Sequence, residues 1–126
     1  MGRSADQRRD AVARGHEAEA RVAAFLIAAG WRILARNWRA RVGELDLVAE
    51  REGQLRFVEV KQRAAGNAVG LEVVTAEKRR RLTRTAQRYL DRVQPTFREV
   101  AFMVAWVKTD GDVWNIEIID DAFDVE

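Results

Sequence analysis

Two short alternating stretches, GELDLVAE over Gly43–Glu50 and LRFVEVKQR over Leu55–Arg63, lie on either side of the turn residues Glu50-Arg51-Glu52-Gly53. Period-two alternation closed by a glycine turn is the mark of a β-hairpin, here with strands Glu44–Ala49 and Gln54–Lys61. No other feature constrains the fold as much. Successive side chains of a strand point to opposite faces, so Leu45, Leu47 and Ala49 are expected on one side and Glu44, Asp46 and Val48 on the other. Glu59 and Lys61 are two residues apart and share a face. Val58 and Val60 then turn the other way, towards a core. Two carboxylates and an ammonium group are thereby expected to converge at one end of a sheet.

That set of groups suits phosphodiester hydrolysis. A hard cation such as Mg²⁺, or Mn²⁺ in its place, takes oxygen ligands, commonly one or two carboxylates with waters and substrate phosphate. Asp46 and Glu59 are the expected ligands, with the backbone carbonyl of Val60 as a further one. Lys61 is placed to orient the attacking water or to offset developing negative charge. Taken alone, Glu-x-Lys on a strand is equally a solvated face or a same-face ion pair. Asp46, on an otherwise apolar neighbouring strand, is what turns the reading towards a site.

The hairpin sits in an α-β-β-β-α-β-β order. Asp10 to Ala29 is alanine-rich and free of proline, reads as a helix, and ends at Gly30. Trp31–Trp38 reads as a first strand and Arg39–Gly43 as a basic turn. After the hairpin, Ala64–Gly70 is expected to be a mobile loop. Thr75–Val93 reads as a second helix with Thr75 as N-cap and Pro95 as its stop. Phe97–Val107 is an apolar run expected as a buried strand, and Asp110-Gly111 turns the chain into a last strand, Val113–Ile119. A helix between the third and fourth strands is a crossover, which sets strand four parallel to a neighbour. Residues 1–10 read as a flexible tail and 120–126 as an acidic one, around a single domain spanning 1–126.

Both helices carry side chains that their position makes informative. At 100° per residue Val12, Glu19, Val22 and Leu26 form one stripe of the first helix, so Glu19 lies on the apolar face. A carboxylate there is costly unless paired or metal-linked, or unless it lies at the solvent end of the stripe. Glu17 falls on the opposite face, where pairing with Arg21 accounts for it. His16, the only histidine, reads as a surface residue. In the second helix Leu82, Ala86, Tyr89, Leu90 and Val93 make the core face, and Arg80, Arg84 and Arg88 stack on the outer side. Like charges at this spacing repel, and a phosphate backbone laid along them would relieve that, as ordinary solvation also would. Trp106 is expected in the core, and Trp31 and Trp38 partly exposed.

Composition removes several alternatives. With no cysteine there is no disulfide, zinc–thiolate site or thiol nucleophile. No signal-like or membrane-spanning segment is visible, so a cytoplasmic protein is expected. The net charge is +2, but residues 108–126 carry −6 and the remainder +8, and 19 of the 22 basic residues are arginine. Arginine suits forked contacts with phosphate, and a basic body suits a nucleic-acid partner.

These motifs resemble the YraN family of bacterial proteins, predicted endonucleases distantly similar to archaeal Holliday-junction resolvases, from about Gly15 to Phe123. The family's glycine with glutamate four residues on matches Gly15 and Glu19, although Ala18 stands where the family often has glycine. Its GEIDL motif appears as Gly43-Glu44-Leu45-Asp46-Leu47, and its FVEVK-x-R motif as Phe57–Lys61 followed by Gln62 and Arg63. A later lysine and A-x-x-Y-L pattern match Lys78, Ala86, Tyr89 and Leu90. The resemblance implies an α/β fold, the three-layer restriction-endonuclease-like αβββαβ core of the PD-(D/E)xK nucleases, with a mixed central sheet flanked by helices. It also implies Glu19, Asp46, Glu59 and Lys61 as active-site positions.

The resulting expectation is a Mg²⁺- or Mn²⁺-dependent endonuclease acting on DNA, including branched or damaged structures. Glu19 would assist the metal directly or through water, and Arg63, Lys78, Arg80, Arg84 and Arg88 would hold phosphates. The alternatives are a nucleic-acid-binding module on a nuclease fold with little or no catalysis, and an interaction protein using the acidic stretch from Asp110. The small size leaves a homodimer open, with Phe97–Val107 as one candidate interface.

Overall fold

The computed structural model describes the backbone of residues 5–64 and 75–123, and the side chains of 15–62 and 75–123. Its elements are α1 (Ala5–Ala28), β1 (Arg32–Ala40), β2 (Gly43–Arg51), β3 (Gln54–Ala64), α2 (Ala76–Val93), β4 (Glu99–Asp110) and β5 (Val113–Ile119). The α-β-β-β-α-β-β order is the expected one. α1 begins at Ala5, inside the stretch expected as a tail. The loop expected at 64–70 lies outside the described residues from 65 onward.

The five strands form one sheet in the order β1-β2-β3-β4-β5. β1–β2, β2–β3 and β4–β5 are antiparallel, and β3–β4 is parallel. The parallel pair follows from the α2 crossover, since only a long connection returns a strand in the same direction. β4 is therefore interior, with β3 on one side and β5 on the other, and Ala101–Val107 are buried. The strand expected from Phe97 starts at Glu99 and leaves Phe97 exposed; β5 flanks it from Val104 onward, and Ala122 and Phe123 bond to Phe102 beyond that.

Each face of the sheet has its own core. On one, Ala18, Val22, Ala23 and Leu26 of α1 pack on Trp31, Leu47, Ala49, Val58, Met103, Ala105 and Val107. On the other, Leu82, Ala86 and Tyr89 of α2 pack on Leu45, Val48, Leu55, Phe57 and Phe102. This is a three-layer α/β arrangement with a mixed central sheet, a restriction-endonuclease-like core. Trp31, expected to be partly exposed, is 5% exposed, because the end of α1 folds it back. The N–H of Trp31 bonds to the carbonyl of Leu26 at 2.9 Å and that of Gly30 to Ile27 at 3.0 Å. Gly30 has φ +94°, the left-handed turn such a helix ending requires. Val93, expected on the core face of α2, is 48% exposed at its last residue.

α2 starts where expected: the Thr75 side chain accepts from the N–H of Lys78, and Gln94, in the left-handed region before Pro95, closes it with an N–H bond to Leu90. Leu45 departs from the alternation expected for β2, lying against α2 while Leu47 and Ala49 face α1. The cause is a paired irregularity. Arg36 is opposite Leu47 and Trp38 opposite Leu45, which leaves Asn37, with φ +50°, across from Asp46. Asparagine tolerates the left-handed region better than most residues. Trp38 and Leu45 both turn to the α2 side, and Asp46 is left at the break.

Candidate active site

The break at Asp46 coincides with a parting of the sheet. β2 and β3 pair from Arg51↔Gln54 to Leu47↔Val58 and no further. β3 continues beside β4 to Ala64↔Thr109, while β2 continues beside β1 to Gly43↔Ala40. A gap therefore opens between β2 and β3 beyond Leu47 and Val58. Asp46 spans it: its Oδ2 accepts a hydrogen bond from the N–H of Val60 at 2.8 Å. A side chain thus replaces the backbone ladder at the point where the strands separate.

Glu59 and Lys61 continue the face of Leu55 and Phe57, so they reach the gap from the α2 side, and Val58 and Val60 face α1 as expected of core-facing residues. Glu59 is buried. Its Oε1 is 2.9 Å from Lys78 Nζ and 3.8 Å from Lys61 Nζ. Only the first is at hydrogen-bonding distance. Glu19 comes from α1 on the opposite side, and its Oε2 is buried with no hydrogen-bond partner among the described residues. Five charged groups from β2, β3 and both helices are thereby brought around one gap.

The start of β2 is held close to α2. A Cβ added at Gly43 would lie 2.8 Å from Thr85 Oγ1 and 3.5 Å from Arg81 Cγ. The glycine of the G-E-L-D segment thus serves close approach of backbone to helix.

The electrostatics reflect this crowding. Burial, then the charge of Glu59, push the Asp46 carboxyl up to about 7. The Val60 N–H pulls the other way, while the Glu19 charge and a hydrogen bond with Glu59 add to the rise. Near neutral pH and with no cation beside it, Asp46 thus holds a proton part of the time. Burial works against the charge on Lys78, but its hydrogen bond to Glu59 and the charges of Glu59 and Asp46 outweigh this and raise its pKa. Lys78, expected on a phosphate-holding surface, is thus drawn into the carboxylate cluster.

The remaining expected contacts are distributed as follows. Arg80, Arg84 and Arg88 are exposed on α2. Arg63 lies on β3, and its side chain falls outside the described residues. His16 is exposed, and Glu17 pairs with Arg21 at 3.1 Å. Among the described residues no three His, Asp or Glu side chains stand close enough to hold one ion as they lie. The donor set still fits a hard divalent cation. The orphaned Oε2 of Glu19 and the proton taken up by Asp46 are both what a cation in the gap would relieve, and all the acids supply oxygen. Convergence on one ion requires these side chains to move, with Lys78 releasing Glu59.

Fold and site together define an α/β protein with a restriction-endonuclease-like core and a cluster of acids and lysines where its sheet parts. The chain belongs to the UPF0102 (YraN) family: the family described as "Uncharacterised protein family UPF0102" matches residues 18–124. A "UPF0102 protein" of Synechococcus sp. (strain JA-3-3Ab) is 47% identical over 98 residues, covering 75% of this chain and 74% of the relative. One from Nitratidesulfovibrio vulgaris (strain DP4) is 40% identical over 114 residues, 90% of this chain and 85% of its own. One from Myxococcus xanthus (strain DK1622) is 39% identical over 119 residues, covering 94% and 92%.

Proposed function

We propose that this protein is a divalent-metal-dependent endonuclease that hydrolyses phosphodiester bonds of DNA. The observation that carries the reading is the grouping of Glu19, Asp46 and Glu59 with Lys61 and Lys78 around the gap between β2 and β3. Asp46 and Glu59 are the residues to hold Mg²⁺ or Mn²⁺, with Glu19 assisting. In an extended strand a residue's N–H and C=O point to the same side, so the Val60 carbonyl turns towards Asp46 and can serve as a further oxygen donor. The bound metal supplies acidification of a water and stabilisation of charge on the phosphate. Lys61 orients the attacking water and offsets the growing negative charge. Lys78, 2.9 Å from Glu59 Oε1, holds that side chain in place until substrate and metal enter. The exposed Arg80, Arg84 and Arg88 hold phosphates of the strand.

The test is cleavage of labelled linear, flapped and four-way DNA with Mg²⁺ or Mn²⁺ by wild type, Asp46→Ala and Lys61→Ala. Metal-dependent cutting by wild type, lost in both variants, is the expected result. One observation favours a second reading, a nucleic-acid-binding module without catalysis: Lys78 Nζ already sits 2.9 Å from Glu59 Oε1, where it stands in for a cation. DNA binding with no cutting of any substrate under either metal would decide for that reading.

A further inference from the structure

A cleft of about 580 Å³ lies between the outer side of α2 and the C-terminal segment, lined by Arg79, Arg80, Thr83, Arg84, Gln87 and Phe123, with Ala122 at its edge. Its volume is in the range of sites for small organic ligands. Three guanidinium groups, a hydroxyl, an amide and an aromatic ring face one recess. Arg79 follows Lys78 directly, so the cleft begins one residue from the carboxylate cluster.

Phe123 is fixed in place. The N–H of Ala122 bonds to the carbonyl of Phe102 at 2.9 Å, and the N–H of Phe102 to the carbonyl of Phe123 at 3.4 Å. The ring of Phe123 stacks on that of Phe102 at 4.3 Å and 17°, and Phe102 lies 5.6 Å from Phe57. The Arg79 guanidinium carbon is 5.2 Å from the centroid of Phe123. A column of rings from the core therefore ends in the cleft, beside a guanidinium.

We infer that this cleft takes an unpaired nucleotide of a DNA strand, its base against Phe123 and Arg79 and its phosphates on Arg80 and Arg84. Thr83 and Gln87 offer hydrogen bonds to the base or sugar. In a duplex the bases are stacked and show only their edges in the grooves, so the Arg79 guanidinium, which lies over the Phe123 ring in this recess, meets the face of a base only when that base is unpaired. Arginine forks supply the phosphate half of the recognition. The nuclease reading is assumed only in taking the nucleic acid to be a substrate, which would then be DNA with a single-stranded segment at the cleavage point.

The experiment is fluorescence anisotropy with a labelled single-stranded DNA oligomer, the matching duplex and a free deoxynucleotide. It is done in chelator, so that cleavage plays no part, with wild type, Phe123→Leu and Arg84→Ala. Phe123→Leu keeps an apolar side chain against Phe102 and removes the ring. The single strand is expected to bind wild type more tightly than the duplex, and Phe123→Leu to weaken it by about tenfold, with little change for duplex. Arg84→Ala is expected to weaken it and to lower the salt slope by about 0.7. Arg84 is exposed, so this variant carries the test if Phe123→Leu melts early. Single-strand binding unchanged in the variants overturns the inference, as does a free nucleotide that binds as tightly as the oligomer. Failure of the nuclease reading appears separately, as absence of metal-dependent cutting with this binding intact.

Discussion

The carboxylate of Asp46 accepts the backbone N–H of Val60, Oδ2 to N at 2.8 Å, across the point where β2 and β3 stop pairing. One side chain thus closes the sheet and stands among the acids of the site. The two roles conflict in charge: burial, Glu59 and Glu19 favour its protonated form, whereas the Val60 N–H favours the carboxylate.

The conflict has a pH signature in metal-free protein. Asp46 titrates at about 7 in the folded chain, against 3.8 without its surroundings. The folded state therefore binds more protons than the unfolded state between these values, and stability falls as pH rises through the window. Asp46's contribution is fully present below the unfolded pKa and lost as pH passes through about 7. Asp46→Asn keeps an oxygen for the Val60 N–H and removes the charge. Thermal melts in chelator should show wild type and variant alike only at about pH 3, below the unfolded pKa, with the offset growing through about pH 5 and the variant ahead by several degrees at about pH 8. An offset that does not change with pH would refute the assignment.

Glu19 yields a prediction about metal. Its buried Oε2 lacks a hydrogen-bond partner among the described residues, so in metal-free protein Glu19→Gln should leave stability unchanged or raise it. Added Mg²⁺ or Mn²⁺ should stabilise wild type by about 2–3 kcal/mol when free metal is roughly a hundredfold above Kd. The variant should respond much less, because one oxygen ligand of the set loses its charge. Calorimetric titration together with melts checks this. Equal metal response in the two proteins would remove Glu19 from the site.

Much of this fold was open to reading because local chemistry and global architecture agree at those points. The two-residue turn at Glu52-Gly53, the Gly30 helix ending and the Thr75 cap are local signals, and each lies where the pattern puts it. The two-residue spacing of Glu59 and Lys61 sufficed to place them on one face. Leu45 was misplaced because strand alternation assumes an unbroken pleat, and the Asn37–Asp46 irregularity carries no glycine or proline to announce it. Lys78 was read as part of a basic helix face. Its contact with Glu59 depends on how α2 crosses the sheet, although its position in the first turn, three residues after Thr75, was a usable clue. Phe123 drew no notice in a segment dominated by acids, since its pairing with Phe102 is set by a strand remote in sequence.

Gly43 tests how tightly α2 holds the site. Gly43→Ala puts a methyl 2.8 Å from Thr85 Oγ1, and that hydroxyl is engaged with the carbonyl of Arg81 at 2.8 Å. Either the helix or β2 must give way. A loss of about 1–3 kcal/mol is expected, as for other overpacked sites. Any nuclease activity should fall further than stability alone accounts for, because Asp46 is three residues along the same strand. Restored stability and activity in Gly43→Ala with Thr85→Ala would locate the clash, and no rescue would place the defect elsewhere.

Arg56 supplies the last prediction. It is 2% exposed, and its guanidinium reaches Asp120 through Nε at 2.6 Å, Glu99 through Nη2 at 2.6 Å and the Leu55 carbonyl through Nη1 at 3.1 Å. Burial opposes the arginine's charge, and the hydrogen bonds and charges of Asp120 and Glu99 outweigh it, raising its pKa. Asp120 thus anchors the start of the acidic stretch that leads to Phe123, which ties this buried arginine to the cleft on α2. Asp120→Ala leaves a buried cation with one of its two carboxylate partners. A loss of about 2–3 kcal/mol is expected, less than for a pair broken outright because Glu99 remains. Removing the arginine's charge together with that of Asp120, as in Arg56→Met with Asp120→Asn, should recover part of that loss, since a buried ion pair exchanged for apolar packing is often neutral. Denaturant melts of the variants measure both effects. If Asp120→Ala costs nothing, the C-terminal segment is held by Phe123 and its stack on Phe102 instead, and Phe123→Ala becomes the variant that releases it.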